Sequence, residues 1–247
     1  MNEMIKKQLS HRTIREFTDE KIPEEIFEQL MEVAKRTATA NGMQASSIIR
    51  ITDSQIKKEI AQVCNQEYVA RAPELLIFIV DLYRNSQIAK EKNAHAEGTS
   101  DMNNFFLSFI DACLMTQNIV NGAESLGLGT VYLGSIFNDI EKICEILELP
   151  KLTFPVVGLG IGYPNQEPQL KPRMDMKFRV FENKYISFDN YLKELEDYDE
   201  EMQTYYDLRD ANNRVDSFSN QVVKKFSNTN PKRQEILNII KKMGFNI

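Results

Sequence analysis

Residues 103–136 read NNFFLSFIDACLMTQNIVNGAESLGLGTVYLGSI. The first part predicts a helix from Asn103 to Leu126, along which lie Phe106, Phe109, Ile110, Cys113, Gln117, Val120 and Leu126. A surface helix carries one apolar stripe. This one is apolar over more than a stripe, so it is expected at the centre of the fold, sandwiched between other elements. Gly127 stands where a helix C-terminus favours glycine, and TVYLGSI (130–136) then reads as a strand. A long buried helix running straight into a buried strand sets the fold class.

Outward from this segment the same alternation continues. ELLIFIVDL (74–82) and FPVVGLGIGY (154–163) are continuously apolar, as strands covered on both faces are. SSIIRIT (46–52) is a third strand, followed by Asp53 as N-cap of a helix over 54–63. Pro23-Glu24-Glu25 opens a helix in which Ile26, Phe27, Leu30, Val33 and Ala34 recur at helical spacing. Residues 3–9 make a short helix, and Asn138 is expected to cap another over 139–148. Without a steady βαβ alternation, the expectation is an α+β fold with a central mixed sheet flanked by helices. The composition changes near Asp189, and ELEDYDEE (194–201) carries six acids. Residues 1–189 therefore read as the core. Residues 190–247 read as an extended helical excursion of the same domain, with few large apolar clusters.

The 247 residues are 42% hydrophobic and 27% charged, an ordinary globular balance. A net charge of −6 argues against a nucleic-acid or anionic-membrane binder. The longest apolar run, Leu75 to Val80, is far short of a membrane span, and no leader-like apolar stretch opens the chain. Three cysteines (64, 113, 144) form no C-x-x-C pair, and two histidines are too few for a His-rich metal site. A reduced, cytoplasmic protein without a metal is expected, with no nucleic acid and no membrane among its partners.

Gly158, Gly160 and Gly162 form G-x-G-x-G after a strand, but Pro164 follows and no helix begins there. A dinucleotide-binding turn needs that helix, so close packing is the better reading. No P-loop lysine motif is present. HRTIR (11–15) sets His11, Arg12, Thr13 and Arg15 within five residues, and LKPR (170–173) adds Lys171 and Arg173. Guanidinium groups fork onto phosphate oxygens, so each run is either an anion cradle or a solvated basic loop. Gln66, just before a buried strand, offers both donor and acceptor to a heterocycle edge, or is simply polar loop. RDANNR (209–214) reads as a charged helix end, the cysteines as buried fillers and His95 as an unpaired loop residue.

HRTIREFTDEKI (11–22), QASSIIRITD (44–53), QEYVARAPELLIF (66–78), AESLGLGTVYLGS (123–135), GLGIGYPNQEPQLKPR (158–173) and YYDLRDANNR (205–214) occur together in this order. In order and spacing they resemble the FMN-dependent nitroreductases, in particular the NADPH-dependent, oxygen-insensitive nitroreductase and flavin reductase branch. The resemblance covers nearly the whole chain, and the HR-x-IR-x-F opening with the late L-KPR is its most specific part.

The resemblance implies a homodimer whose C-terminal arms wrap the partner, with FMN bound in clefts at the interface. His11, Arg12, Thr13, Lys171 and Arg173 match positions that grip the ribityl phosphate. Arg15 and Gln66 match contacts to the isoalloxazine ring. Thr39 and Asn41 match the flavin-lining segment, and Tyr132, Leu133, Gly134 and Ser135 the wall beside the ring. Arg209, with Arg214 beside it, matches contacts to the NADPH 2′-phosphate. Thr13 stands where serine is common, and Ser135 replaces a common glycine, which narrows the wall. VDSFSN after Arg214 lacks a second neighbouring arginine, implying only a modest preference for NADPH over NADH. The implied activity is hydride transfer from NADPH through FMN to nitroaromatics, quinones or free flavin, by ping-pong kinetics. The flavin carries that chemistry, so no catalytic side chain is expected beyond electrostatic support from Arg15. The alternatives are a specialised flavin reductase of the same fold (a dehalogenase or a thiol-linked enzyme) and a flavin-binding carrier or regulator without turnover.

Overall fold

A computed structural model describes residues 1–206 and 214–247. The described chain divides into two compact units, residues 1–166 with 230–247 and residues 167–229. Both junctions differ from the expected boundary at 189/190.

The first unit begins with seven helices: α1 (Glu3–Leu9), α2 (Glu24–Lys35), α3 (Ser54–Cys64), α4 (Tyr68–Arg71), α5 (Leu82–Glu91), α6 (Met102–Ser125) and α7 (Ile140–Ile146). Among them run four strands, β1 (Ser46–Arg50), β2 (Glu74–Asp81), β3 (Gly129–Leu133) and β4 (Thr153–Gly162). Their order in the sheet is β1-β2-β4-β3, and every pairing among them is antiparallel. The parallel element of the expected mixed sheet is a single bridge, Thr13 with Thr130. The two continuously apolar segments are the central strands, as their two-sided burial requires. Pro155 is tolerated inside β4 because the register shifts opposite Phe78 and Ile79, a bulge where no ladder N–H is needed. A Cβ on Gly162 would sit 2.8 Å from the Phe17 ring and from Pro73, so the glycine run serves close packing, as expected.

Helix α6 lies against the sheet and α2, burying Phe105, Ser108, Asp111, Ala112, Thr116, Ile119, Val120 and Ala123. Gly127 ends it at φ +81°, the left-handed conformation glycine adopts without strain. Its other apolar stripe is not covered by any of the described residues. Phe106, Ile110 and Leu114 are 59%, 52% and 49% exposed, so the helix is packed on one side where covering on more than one was expected. Asp53 caps α3 as expected, accepting from the backbone N–H of Gln55 and Ile56. The cap of α7 is Asp139, accepting from Lys142, and not Asn138. Asn138 instead donates to the Val63 and Cys64 carbonyls, tying the loop after β3 to the end of α3. That loop, Gly134–Asp139, is a 3₁₀ turn, so β3 stops earlier than the sequence suggested.

The second unit holds α8 (Tyr191–Glu194), α9 (Glu196–Gln203) and α10 (Phe218–Ser227). Asp199 of the acidic run accepts from the Ser219 backbone N–H at 2.8 Å and its hydroxyl at 2.5 Å, and Tyr198 packs on Phe218. The first unit is completed by α11 (Pro231–Gln234) and α12 (Ile236–Lys242). Ile239, Ile240, Met243 and Phe245 are buried there, and the Phe245 ring lies 4.8 Å from Phe105, which in turn meets Phe154. The expectation that the tail lacks apolar clusters fails at this point. Among the described residues no helix is long and apolar enough to cross a membrane.

Candidate functional site

The chain leaves α1 at Ser10 and runs beside β3, where Ile14 N–H donates to the Thr130 carbonyl at 2.9 Å. This places the basic run 11–15 against the sheet, not free in solvent. His11 Nδ1 lies 2.5 Å from Glu124 Oε1, which also accepts from the Thr130 hydroxyl at 3.2 Å. A carboxylate only accepts, so Nδ1 carries the proton and the tautomer is fixed. Glu124 went unnoticed in the sequence. The signal was present: an acid in the last turn of a helix opposes the dipole and calls for a cation. Arg12 is half-buried, donates Nη1–H to the Ser10 carbonyl at 3.3 Å, and holds a buried Nε that has no partner among the described residues. A cationic cluster with an orphaned buried donor is built for an anion. Arg15, further along the same run, is half-buried.

From Thr130 the strand leads to the wall residues. Leu133 is buried, whereas the Tyr132 ring is 39% exposed. The Tyr132 hydroxyl donates to Gln117 Oε1 at 2.9 Å. Burial first, then the negative fields of Cys113 and Glu124, push its ionisation up to about 12. The Gly134 carbonyl accepts from Arg233 Nη2, whose guanidinium also grips Asn138 Oδ1, so α11 steadies the turn after β3. Ser135 Oγ donates to Gln66 Oε1 at 2.7 Å. Gln66 follows directly on α3, where Asn65 takes a left-handed cap conformation.

Thr39 and Asn41 sit elsewhere along α6. Asn41 has φ 52°, in a one-turn 3₁₀ segment (Ala40–Gly42) whose first N–H, that of Ala40, donates to the buried Asp111 carboxylate at 2.9 Å. A cavity of about 170 Å³ lies beside them, bounded among others by Met43, Asn85, Leu107 and Asp111. Asp111 and Glu124 are thirteen residues apart on one helix, about 20 Å along its axis. The expected residues are thus strung along α6: Thr39 and Asn41 at Asp111, Tyr132 at Gln117, His11 at Glu124.

Lys171 and Arg173 belong to the second unit. Arg173 is exposed and donates to the carbonyls of Lys171 and Pro172, and the Lys171 ammonium lies 5.8 Å from the Tyr205 ring. Arg214 donates Nε–H to the Tyr206 hydroxyl at 2.9 Å. Arg209 lies outside the described residues. Among the described residues no group of three or more His, Cys, Asp or Glu side chains is placed to hold a metal ion.

Residues 9–163 match the nitroreductase family, and residues 171–247 match the nitroreductase family C-terminal domain. This chain is a nitroreductase-family protein. Within the family it is 37% identical to the oxygen-insensitive NADPH nitroreductase of Salmonella typhimurium, over 99% of each chain. It is 35% identical to the FMN reductase (NADPH) of Bacillus subtilis, over 100% of this chain and 99% of that one. The solved NADPH:FMN oxidoreductase of Vibrio harveyi, complexed with NAD+, superposes with a TM-score of 0.88 at 31% identity, over 99% of each chain. For a nitroreductase-family protein the fold and the cationic run fit a phosphate-bearing flavin. The observation specific to this chain is the buried, unpartnered Arg12 Nε beside a tautomer-fixed histidine.

Proposed function

We propose that this chain is an FMN-dependent oxidoreductase that takes hydride from NADPH and reduces nitroaromatics, quinones or free flavin. The observation that carries the reading is the His11-Arg12-Thr13 cradle, pinned to β3 with a buried donor left to satisfy. His11, Arg12, Thr13, Lys171 and Arg173 hold the cofactor phosphate through charge-assisted hydrogen bonds. Arg15 and Gln66 meet the ring, with Arg15 placing positive charge where reduction concentrates negative charge. Residues 132–135 wall the ring, and Thr39 and Asn41 line it. FMN, when bound, supplies the hydride chemistry. The protein's own tasks are holding, orienting and admitting flat molecules one at a time, so donor and acceptor use one cleft in turn.

The working form is a homodimer. The exposed Phe106, Ile110 and Leu114 form an apolar stripe on one face of α6, and a stripe of that kind marks a protein interface. Residues 190–247 reach over the partner as the C-terminal arm. Three free cysteines suit a reducing cytoplasm.

The deciding experiment reduces the FMN-loaded protein without oxygen, with NADPH and NADH in parallel, and then adds an acceptor panel. Rapid bleaching by NADPH and recolouring by a quinone or nitrofurazone is the expected result. A yellow protein that neither nucleotide bleaches would be a carrier, and the enzymatic reading would fall.

A further inference from the structure

Ser135 lies in the turn after β3 and makes a side-chain contact with a residue 69 positions away. Two side chains meet at the start of that turn. The Ser135 hydroxyl donates to Gln66 Oε1 at 2.7 Å, with the buried Cys64 close enough for the hydroxyl to influence its thiol. Gln66 Nε2 has no hydrogen bond among the described residues. We propose that Ser135 is a positioning residue: its hydroxyl ties down the Gln66 carbonyl, so that Gln66 offers the flavin ring only its NH₂ group. This rests on the FMN reading above and deepens it.

The direction of the bond follows from the donor inventory. A serine hydroxyl donates one proton and accepts others, and a glutamine amide accepts at Oε1 and donates at Nε2. The Ser135 hydroxyl has one proton, and it goes to Gln66 Oε1. The bond runs one way and leaves both Nε2 protons unspent. A flavin's pyrimidine edge presents carbonyl and ring-nitrogen acceptors together with one N–H donor. A freely turning glutamine could pair with either, whereas a fixed one selects the acceptors. With glycine at 135 the amide would be free to turn.

The test uses the full chain stripped of flavin and titrated with FMN and with riboflavin, following free-flavin fluorescence. Four proteins are compared: wild type, Ser135→Ala, Gln66→Ala and the double variant. Because the contact is at the ring, Ser135→Ala is expected to weaken both ligands by the same factor, about fivefold. On the Gln66→Ala background it should add nothing, because the residue acts through Gln66. Unchanged affinity in folded Ser135→Ala, losses that multiply in the double variant, or a loss confined to FMN would each overturn the assignment. Should Ser135→Ala fail to fold by circular dichroism, Ser135→Gly removes the same hydroxyl and is read the same way. A wild type that binds neither flavin overturns the FMN reading itself, an outcome distinct from flavin binding that is indifferent to Ser135.

Discussion

Arg12 Nε is a buried donor with no partner among the described residues, and leaving such a group unmet costs about 1–3 kcal/mol. That cost is recovered if an anion docks there, so the informative substitutions are those of the cations proposed to hold the phosphate. Arg12→Ala and Arg173→Ala should each weaken FMN binding by tenfold or more, the equivalent of about 1.5–3 kcal/mol for a charged hydrogen bond. Riboflavin, which lacks the phosphate, should be spared by both. Parallel titration of the two flavins decides it, and an equal loss for both would remove the phosphate assignment. Arg209 is proposed to contact the nucleotide. Arg209→Ala should raise KM for NADPH by roughly 5–30-fold with little change in kcat, leaving NADH kinetics and FMN content alone. Steady-state kinetics with both nucleotides reads this, and equal loss with NADH would make Arg209 structural. At this scale the sequence was informative where residues act in clusters. HRTIR stood out because cationic and hydroxyl groups crowd together. Glu124 and the Ser135–Gln66 bond did not, because each joins residues far apart along the chain and only the fold brings them within reach.

Among the elements, α6 is the most informative. Its apolar excess was legible from the sequence, but periodicity cannot tell whether a second apolar face meets the same chain or another copy. Here Phe106, Ile110 and Leu114 are left uncovered. Ile110→Asp should shift the protein from dimer to monomer in sedimentation or size-exclusion experiments and lower FMN retention with it. Cys113 lies on the same exposed side of the helix. It should react slowly with maleimide in the wild type and quickly in Ile110→Asp, whereas equal rates would place the interface elsewhere. Strands β2 and β4 were legible because burial on both faces leaves an unbroken apolar run. The α7 cap was misplaced by one residue, since Asn138 and Asp139 are both capable caps and tertiary bonds from Val63 and Cys64 claimed the first. The antiparallel pairing was invisible, because the pairing direction of a fully buried strand leaves no mark on its own composition.

For the whole molecule, the notable fact is that the first unit is assembled from two stretches, 1–166 and 230–247. The sequence hid this because the charged segment around 194–201 suggested that everything after it was peripheral. Phe245 is 2% exposed against the rings of the core, so Phe245→Ala should cost about 3–5 kcal/mol. Urea unfolding of the full chain measures it, and a loss below about 1 kcal/mol would show that the site collapses around the gap. Deleting 190–247 should consequently destabilise the core itself and not merely release a monomer. The test of the dimer therefore belongs to Ile110 and not to a truncation.

The division of the first unit also has a consequence for how the protein is made. All four strands and α6 have been synthesised by Gln166, yet Phe245 arrives roughly eighty residues later. At ordinary elongation rates that interval lasts roughly 4 to 16 s. Throughout it the side of Phe105 that Phe245 covers in the finished protein has no such cover on the nascent chain. The core cannot close co-translationally until residues 167–229 have been made, so slowing translation across that stretch should lower the yield of folded protein while leaving its final stability unchanged.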